Sequence, residues 1–487
     1  MDKAQIYVGL DIGTTAIRVI VGEAVNDKLN IIGIGSERSR GLKNGVIVDI
    51  DKVVTATRKA VHQAQTKANI KFDQVVVGIP AKDLVIEPVK GMTIVADQPK
   101  EITAVEVRKV AAAALSRNLP PEREVVAIVP KQFIVDGQKH IVDPRGMSAV
   151  RIELEAICYS VPSIVVNNIR KVLERAGLKL KHFVLNPLGL AHVALNDGEQ
   201  DFGTVLIDMG GSQSTAYVIR DHDLKFVAAD DEGGQNLTKD VSVVLNTSLS
   251  SAEKLKRNYG VADPEATSVT EKFPVEIVGK DDPMMVDETY LSEILEARFE
   301  QIFDRLLKQL DSAKALDLPG GVVLTGGVAE TMSITSLASD LLGQKVRIFA
   351  PREMGLRNAS FATILGIVSY AADLSEIDLL VTSVINKDAL AALNSQQPVT
   401  ANEQVEQRSQ VGDSNPNGGF FNNLKSLFNG DVEDDEQDSQ DSSSTQAQQP
   451  TEKPQNNVRP AQKSSESQEN KSESESKIRN FFNKFFD

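Results

Sequence analysis

The sequence predicts an α/β protein of two related lobes, with a small inserted domain and a long polar tail. Three observations predict it. One strand–turn–strand unit occurs twice, at Ile6–Gly22 (IYVGLDIGTTAIRVIVG) and at Thr204–Ile219 (TVLIDMGGSQSTAYVI). From about Leu84 to Val161, strand-like runs around a single helix interrupt the first lobe. Past about Asn394 the chain turns to Gln, Ser, Asn, Asp and Glu with almost no apolar residues. At 487 residues there is room for two or more domains, and 41% hydrophobic residues supply a core for the first four fifths.

In the first unit an apolar strand run reaches Asp11, then Gly13, Thr14 and Thr15, and a second β-branched run follows. This reads as a hairpin with a tight turn at Gly13–Thr14. A glycine at the tip lets the backbone approach a ligand closely. The amides and hydroxyls of Thr14 and Thr15 can face an anion, and phosphate is the obvious one. An Asp just before such a turn is placed to hold a hydrated Mg²⁺. An ordinary turn has the same pattern, so the recurrence carries the argument. In the second unit a strand ends at Asp208, and Gly210, Gly211, Ser212 and Gln213 follow. A third glycine turn, Gly326–Gly327, follows the strand run Val322–Thr325. As an ordered triple these turns resemble phosphate 1, phosphate 2 and the adenosine motif of the actin/Hsp70/sugar-kinase ATPase superfamily. The resemblance implies an actin-like two-lobed fold with ATP between the lobes.

Composition excludes several classes. Acidic residues outnumber basic ones 68 to 53, for a net charge of −15, which argues against a nucleic-acid binder. The single cysteine, Cys158, rules out an internal disulfide and is expected in the core. Met1–Asp2–Lys3 leads straight into a strand, and no run reaches the roughly 18 apolar residues of a membrane span. A cytoplasmic protein is expected unless another device brings it to a membrane.

The remaining elements follow in order. Leu29–Ser36 is strand-like, and Ser39–Ile50 reads as a loop with a short strand. Asp51 is the expected N-cap of a helix through Lys67, with Val53, Val54, Ala60, Val61 and Ala64 on its apolar side. Val75–Ile79 is a buried strand ending at Pro80. The interrupting block comprises strands Val85–Val95, Val125–Val135 and Ala149–Ser160 and helix Thr103–Leu115. Within it, Gly137–Ala156 (GQKHIVDPRGMSAVRIELEA) resembles the signature of the FtsA family, actin-like bacterial cell-division proteins that carry an inserted domain, 1C, at this place. The resemblance runs from Ile6 to about Ala372. His140 in this loop is read as surface structure.

Ser163–Gly177 reads as a helix with Gly177 past its end, and His182–Asn186 as a strand. Pro187–Leu195 begins the helix between the lobes. Relatives with fast hydrolysis orient the attacking water from this region with a Gln, Glu or Asp, and none is placed here. The resemblance therefore implies ATP binding with at most slow ATPase activity, a nucleotide-dependent switch. Ala229–Leu237 leads into a helix to Leu245, and Ser250–Gly260 is helical with a cap near Ser251. Glu253 and Lys256, three apart, share a helix face. The resemblance assigns them to ribose and adenine; the alternative is a solvated ion pair. Thr267–Val278 is read as a β-segment. Asp287–Leu310 is a long amphipathic helix whose stripe is Leu291, Ile294, Leu295, Phe299, Ile302, Phe303, Leu306 and Leu310. Val346–Arg352 is a strand and turn, and Asn358–Ala372 a second connecting helix.

The tail cannot bury enough surface to offset its ordering entropy, so disorder is expected. Two islands interrupt it. In Lys477–Phe486 (KIRNFFNKFF), Ile478, Phe481, Phe482, Phe485 and Phe486 cover an arc of roughly 140° on a helix. Arg479 and Lys484 lie on the other side. This reads as an interfacial membrane helix, to which Lys477, Arg479 and Lys484 each add about 1 kcal/mol at an anionic leaflet. In Gly419–Phe428 (GFFNNLKSLF), Phe420, Phe421, Leu424, Leu427 and Phe428 cover roughly 120°. It is a second anchor, a segment that docks back on the core, or a partner site.

Taken together, the FtsA resemblance implies a cell-division adaptor that binds ATP and Mg²⁺ and tethers filaments of FtsZ, the tubulin-like ring protein. It implies self-association into polymers, recruitment of later division proteins, and a place on the cytoplasmic side of the membrane at the septum. It assigns Asp11 and Asp208 to Mg²⁺ through water. Gly13, Thr14, Thr15, Gly210, Gly211, Ser212 and Gln213 go to phosphates, and Gly326 and Gly327 to the adenosine side. It divides the chain into subdomain 1A (1–84, 162–196 and 359–386), 1C (85–161), 2A (197–228 and 301–358), 2B (229–300), an acidic linker (387–476) and a membrane-targeting helix (477–487). The C-terminal peptide of FtsZ is expected at 2B, where exposed charges such as Arg298 are candidates. Rivals are a metabolic or sugar kinase, an Hsp70-type chaperone, and another actin-like scaffold for pilus assembly or cell shape.

Overall fold

The computed structural model describes residues 5–385 except 27 and 117–119. The expectations for 387–487 lie outside the described residues. They include both islands and the membrane residues Ile478, Arg479, Phe481, Phe482, Lys484, Phe485 and Phe486.

Two five-stranded sheets repeat one topology. The first runs, in spatial order, Lys179–Leu185, Gln74–Ile79, Gln5–Ile12, Ala16–Val25 and Lys28–Arg38. The second runs Val346–Ile348, Val322–Thr325, Thr204–Met209, Ser214–Arg220 and Asp223–Asp230. In each, the central strand pairs parallel on one side and forms an antiparallel hairpin on the other. The duplicated hairpins therefore occupy equivalent places in two related lobes. Their strands alternate little in burial, as expected for sheets covered on both faces.

Helices cover the sheets. Ile50–Ala68 lies on the first, and its N-cap is Asp49, whose side chain accepts from the Lys52 amide. The expected cap, Asp51, falls inside the first turn because Asp49 is the residue with extended backbone, at φ −141°. Ser163–Ala176 ends at Gly177 in the left-handed region, as expected. The connecting helices Asn186–Ala194 and Ala362–Asp373 cross at Gly189 and Gly366. A Cβ on Gly366 would stand 2.3 Å from the Gly189 carbonyl oxygen, so the crossing requires glycine.

The interrupting block builds its own antiparallel sheet in the order Gln138–Ile141, Arg123–Val135, Arg151–Pro162 and Val85–Ile94. Helix Ala104–Leu115 covers it, started by a capping box between Thr103 and Glu106. Cys158 is buried in this core. His140 is exposed, as read from the sequence. A helix missed by the periodicity, Glu376–Ser383, completes the same core with Ile377, Val381 and Val384.

On the second lobe, helices Gly234–Val244, Leu249–Tyr259 and Glu288–Ser312 pack with a two-stranded sheet, Lys272–Val275 and Met284–Asp287. All eight stripe residues of the long helix are buried. Phe299 and Phe303 are fully so, and each contributes about 1.5–3 kcal/mol by leaving water. Among the described residues no helix is long and apolar enough to cross a membrane.

Candidate functional site

The two hairpins fold alike because each is closed by the same bond. The Gly13 amide donates to the Ala16 carbonyl at 3.1 Å, and the Gly210 amide to the Gln213 carbonyl at 2.9 Å. Their tips meet across the interlobe cleft, where the Ser212 hydroxyl donates to Thr14 Oγ1 at 2.9 Å. The cleft is a cavity of about 1610 Å³. Every sequence-predicted nucleotide residue lines it: Asp11, Gly13, Thr14, Thr15, Asp208, Gly210, Gly211, Ser212, Gln213, Glu253, Lys256, Gly326 and Gly327.

The third turn is fixed by contact with the second hairpin. Gly326 has φ +89°, and a Cβ there would lie 2.4 Å from Asp208 Oδ1 and 2.5 Å from the Met209 carbonyl oxygen. Helix Gly234–Val244 begins on the second hairpin: the amides of Gly234 and Gln235 donate to the Gly210 and Gly211 carbonyls at 3.0 and 2.6 Å.

Asp11 and Asp208 both line the cavity. Burial pushes Asp11 above the usual carboxylate range, opposed by Arg18, 3.8 Å away. Burial first, and then the Asp11 charge, push Asp208 up to about 6. Thr363 Oγ1 lies 3.5 Å from Asp208 Oδ2. Two buried carboxylates, one raised further by the charge of the other, are a pair that a cation would stabilise. The native Asp208 carboxyl holds its proton up to about pH 6, while an unfolded one loses it near 3.8. The nucleotide-free protein therefore loses stability as pH rises through this window. Asp208→Asn is expected to stabilise it at pH 7.5 by on the order of 2 kcal/mol, with the gain closing below about pH 4, read by urea unfolding at both pH values.

Glu253 and Lys256 are not a solvated pair. The Lys256 side chain is 14% exposed. Its ammonium donates to Glu253 (2.7 Å), Thr238 Oγ1 (2.8 Å) and the Gly234 carbonyl (2.7 Å). Burial lowers the Lys256 pKa, partly offset by Glu253. The pair thus ties helix Leu249–Tyr259 to the start of Gly234–Val244 while facing the cavity. The helix cap is Ser248, whose hydroxyl accepts from the Ser251 amide, rather than Ser251.

Arg298, expected among the exposed charges, is 12% exposed. Its guanidinium donates to Glu232 at 2.7 Å and to Asp240 at 2.6 and 2.9 Å. It braces the segment that leads from strand Asp223–Asp230 into the second hairpin's helix. Arg298→Ala leaves Asp240 without this partner and is expected to cost roughly 3 kcal/mol in urea unfolding.

Sequence reasoning missed other cleft residues: Arg18, Ser39, Asn186, Glu330, Ser360 and Thr363. Arg18 had a signal, a cation inside the apolar run IRVIVG, and it stacks 5.1 Å from the Phe361 ring. The others, four small polar residues and Glu330, have no local pattern. Glycine turns, orphaned donors such as Gln213 Nε2, and paired carboxylates fit a magnesium–nucleotide. Among the described residues no group of three or more His, Cys, Asp or Glu could hold a metal by itself.

The chain is similar to known proteins. The family described as "Cell division protein FtsA" matches residues 205–366, and "SHS2 domain inserted in FTSA" matches residues 82–160. The cell division protein FtsA of Enterococcus hirae is 49% identical over 392 residues, 80% of this chain and 89% of that protein. That of Enterococcus faecalis is 51% identical over 377 residues, 77% and 86% of the two chains. Among solved structures, the PilM–PilN type IV pilus biogenesis complex is 15% identical with a TM-score of 0.52, covering 76% of this chain and 99% of that one. The last likeness shows the fold alone, the actin-like two-lobed fold expected from the sequence. Identity near one half over most of both chains shows more: the chain belongs to the FtsA family of cell-division proteins.

Proposed function

We propose that this protein is an ATP-binding adaptor that tethers FtsZ filaments to the cytoplasmic face of the membrane at the division septum. The observation that carries the nucleotide half is the convergence of all three glycine turns and the Glu253–Lys256 pair on one cavity. Asp11 and Asp208 hold Mg²⁺ through water, and the ion supplies countercharge to the phosphates. Thr14, Thr15, Gly210, Gly211, Ser212 and Gln213 bind and orient those phosphates. Glu253 and Lys256 face the ribose and adenine, and Gly326 and Gly327 the adenosine side. Hydrolysis is slow at most, and the nucleotide acts as a switch.

The adaptor half rests on family membership and on the Phe-rich terminal pattern. The C-terminal peptide of FtsZ docks on subdomain 2B, where Val278, Met284 and Met285 expose apolar surface. The chain polymerises with itself and recruits later division proteins of the membrane. The subdomains are those assigned from the sequence, with the insert at 85–161. Family membership favours this reading over a kinase.

Calorimetric titration of ATP into the full chain tests the nucleotide half. Saturable, stoichiometric binding that weakens when Mg²⁺ is chelated is expected. Absence of ATP binding would remove the switch and leave only the tether.

A further inference from the structure

Two ion pairs tie the first lobe and its interrupting block to the outer strand of the second lobe. Lys131, on strand Arg123–Val135 of the block, meets Asp223 at 2.5 Å, and the Asp223 side chain is 6% exposed. Lys82, just before the block's first strand Val85–Ile94, meets Asp231 at 2.6 Å. Asp223 opens strand Asp223–Asp230 and Asp231 follows it, so this strand is gripped at both ends from the other lobe. It is an edge strand, paired only to Ser214–Arg220.

Both lysines stand on one braced piece of structure. Arg123 donates to the carbonyls of Asp83 at 2.8 Å and Ser160 at 2.6 Å, where the chain enters and leaves the block. The junction also has an apolar part: Val126 and Tyr159 of the block share one buried cluster with Tyr217, Ile219 and Leu224 of the second sheet. The gripped strand is in turn joined to the cleft. Its partner Ser214–Arg220 starts directly after Gly210–Gln213 and runs seven residues, about 23 Å, away from the hairpin tips. A tight turn follows at Asp221 and His222, with φ +52° and +56°, and Asp223 comes next. A displacement of the Ser212–Gln213 turn along this strand therefore arrives at the Asp223 ion pair.

We propose that the Lys131–Asp223 and Lys82–Asp231 pairs form a latch across the lobes, which slows opening of the cleft and makes the position of the inserted block part of the nucleotide switch. Opening draws the second lobe away from the block and breaks the pairs. A nucleotide that holds the lobes together protects the latch, and by linkage the latch retains the nucleotide. Neither lysine lines the cavity, so the latch acts on release without touching the ligand. The inference rests on the nucleotide reading above and specifies how that site is regulated.

Stopped-flow release of a fluorescent ATP analogue from the full chain in Mg²⁺, chased with excess ATP, tests it. Release is expected to be roughly fivefold faster in Lys131→Met and about threefold faster in Lys82→Ala, since the first pair is the more buried. Lys131→Met keeps the apolar stem and leaves Asp223 the Lys225 ammonium at 3.1 Å, so the junction stays packed. Lys82→Asp combined with Asp231→Lys rebuilds the more exposed pair with its charges exchanged and should return release toward the parent rate. A merely structural loss would not be repaired in this way. Unchanged release in both single variants, or faster release that the exchange leaves uncorrected, overturns the latch alone. Failure of the parent chain to bind the analogue overturns the nucleotide reading and the latch with it.

Discussion

Ending the chain at Glu475 is expected to abolish its sedimentation with anionic liposomes. The cut removes Ile478, Phe481, Phe482, Phe485 and Phe486 together with Lys477, Arg479 and Lys484. As read from the sequence, so short a helix would be marginal in water and would form on binding, when the apolar face enters the headgroup boundary. On this reading the three cations would add about 1 kcal/mol each at an anionic surface, so raising salt should weaken binding by the electrostatic part alone. A loss of more than about 100-fold in lipid affinity is expected on truncation. A second truncation, at Val411, tests the island at 419–428. If binding persists at Glu475 and vanishes only at Val411, the island is an anchor, joined to the terminal helix by about 50 residues that span roughly 40 Å as a coil.

Gly326→Val should abolish nucleotide binding while leaving the liposome assay intact. The backbone at φ +89° is one that β-branched residues rarely adopt, and the first side-chain carbon would occupy the space of Asp208 Oδ1. Relief requires the turn to move off the second hairpin, which displaces Asp208 and the Gly326–Gly327 turn together. A drop of roughly 100-fold or more in ATP affinity is expected by calorimetry, with some loss of stability from the strain. Unchanged ATP affinity would place the nucleotide elsewhere.

What was legible in the sequence was local. A strand that ends in Asp, then glycine and a hydroxyl residue, has one simple fold, and both hairpins form as read. The strand Val322–Thr325 has the bounds read from the sequence, and every residue of the Leu291–Leu310 stripe is buried, because a 3.6-residue period needs no tertiary knowledge. Choices between near neighbours were not legible. Asp49 and Asp51, or Ser248 and Ser251, are equally good caps until the incoming backbone direction is known. Strand Asp223–Asp230 was missed because its acidic end looks like a loop, yet Asp230 meets Arg305 at 3.2 Å. Arg298 looked like a surface charge because the segment 232–240 that covers it lies some sixty residues away in sequence. Helix Glu376–Ser383 had a local signal, the Ser375–Asp378 capping box, but its partner is the insert core. At the site, residues in motifs were found and residues such as Ser39, Asn186 and Thr363 were not, since only folding brings them to the cleft.

The most direct test of the adaptor account is sedimentation of FtsZ filaments with anionic liposomes in the presence of this protein and ATP. The account predicts that FtsZ pellets with the liposomes when the full chain is present. It predicts that FtsZ stays behind when the chain ends at Glu475 or when FtsZ lacks its C-terminal peptide. FtsZ that pellets equally well with the chain ended at Glu475, or never pellets with the full chain, would contradict it.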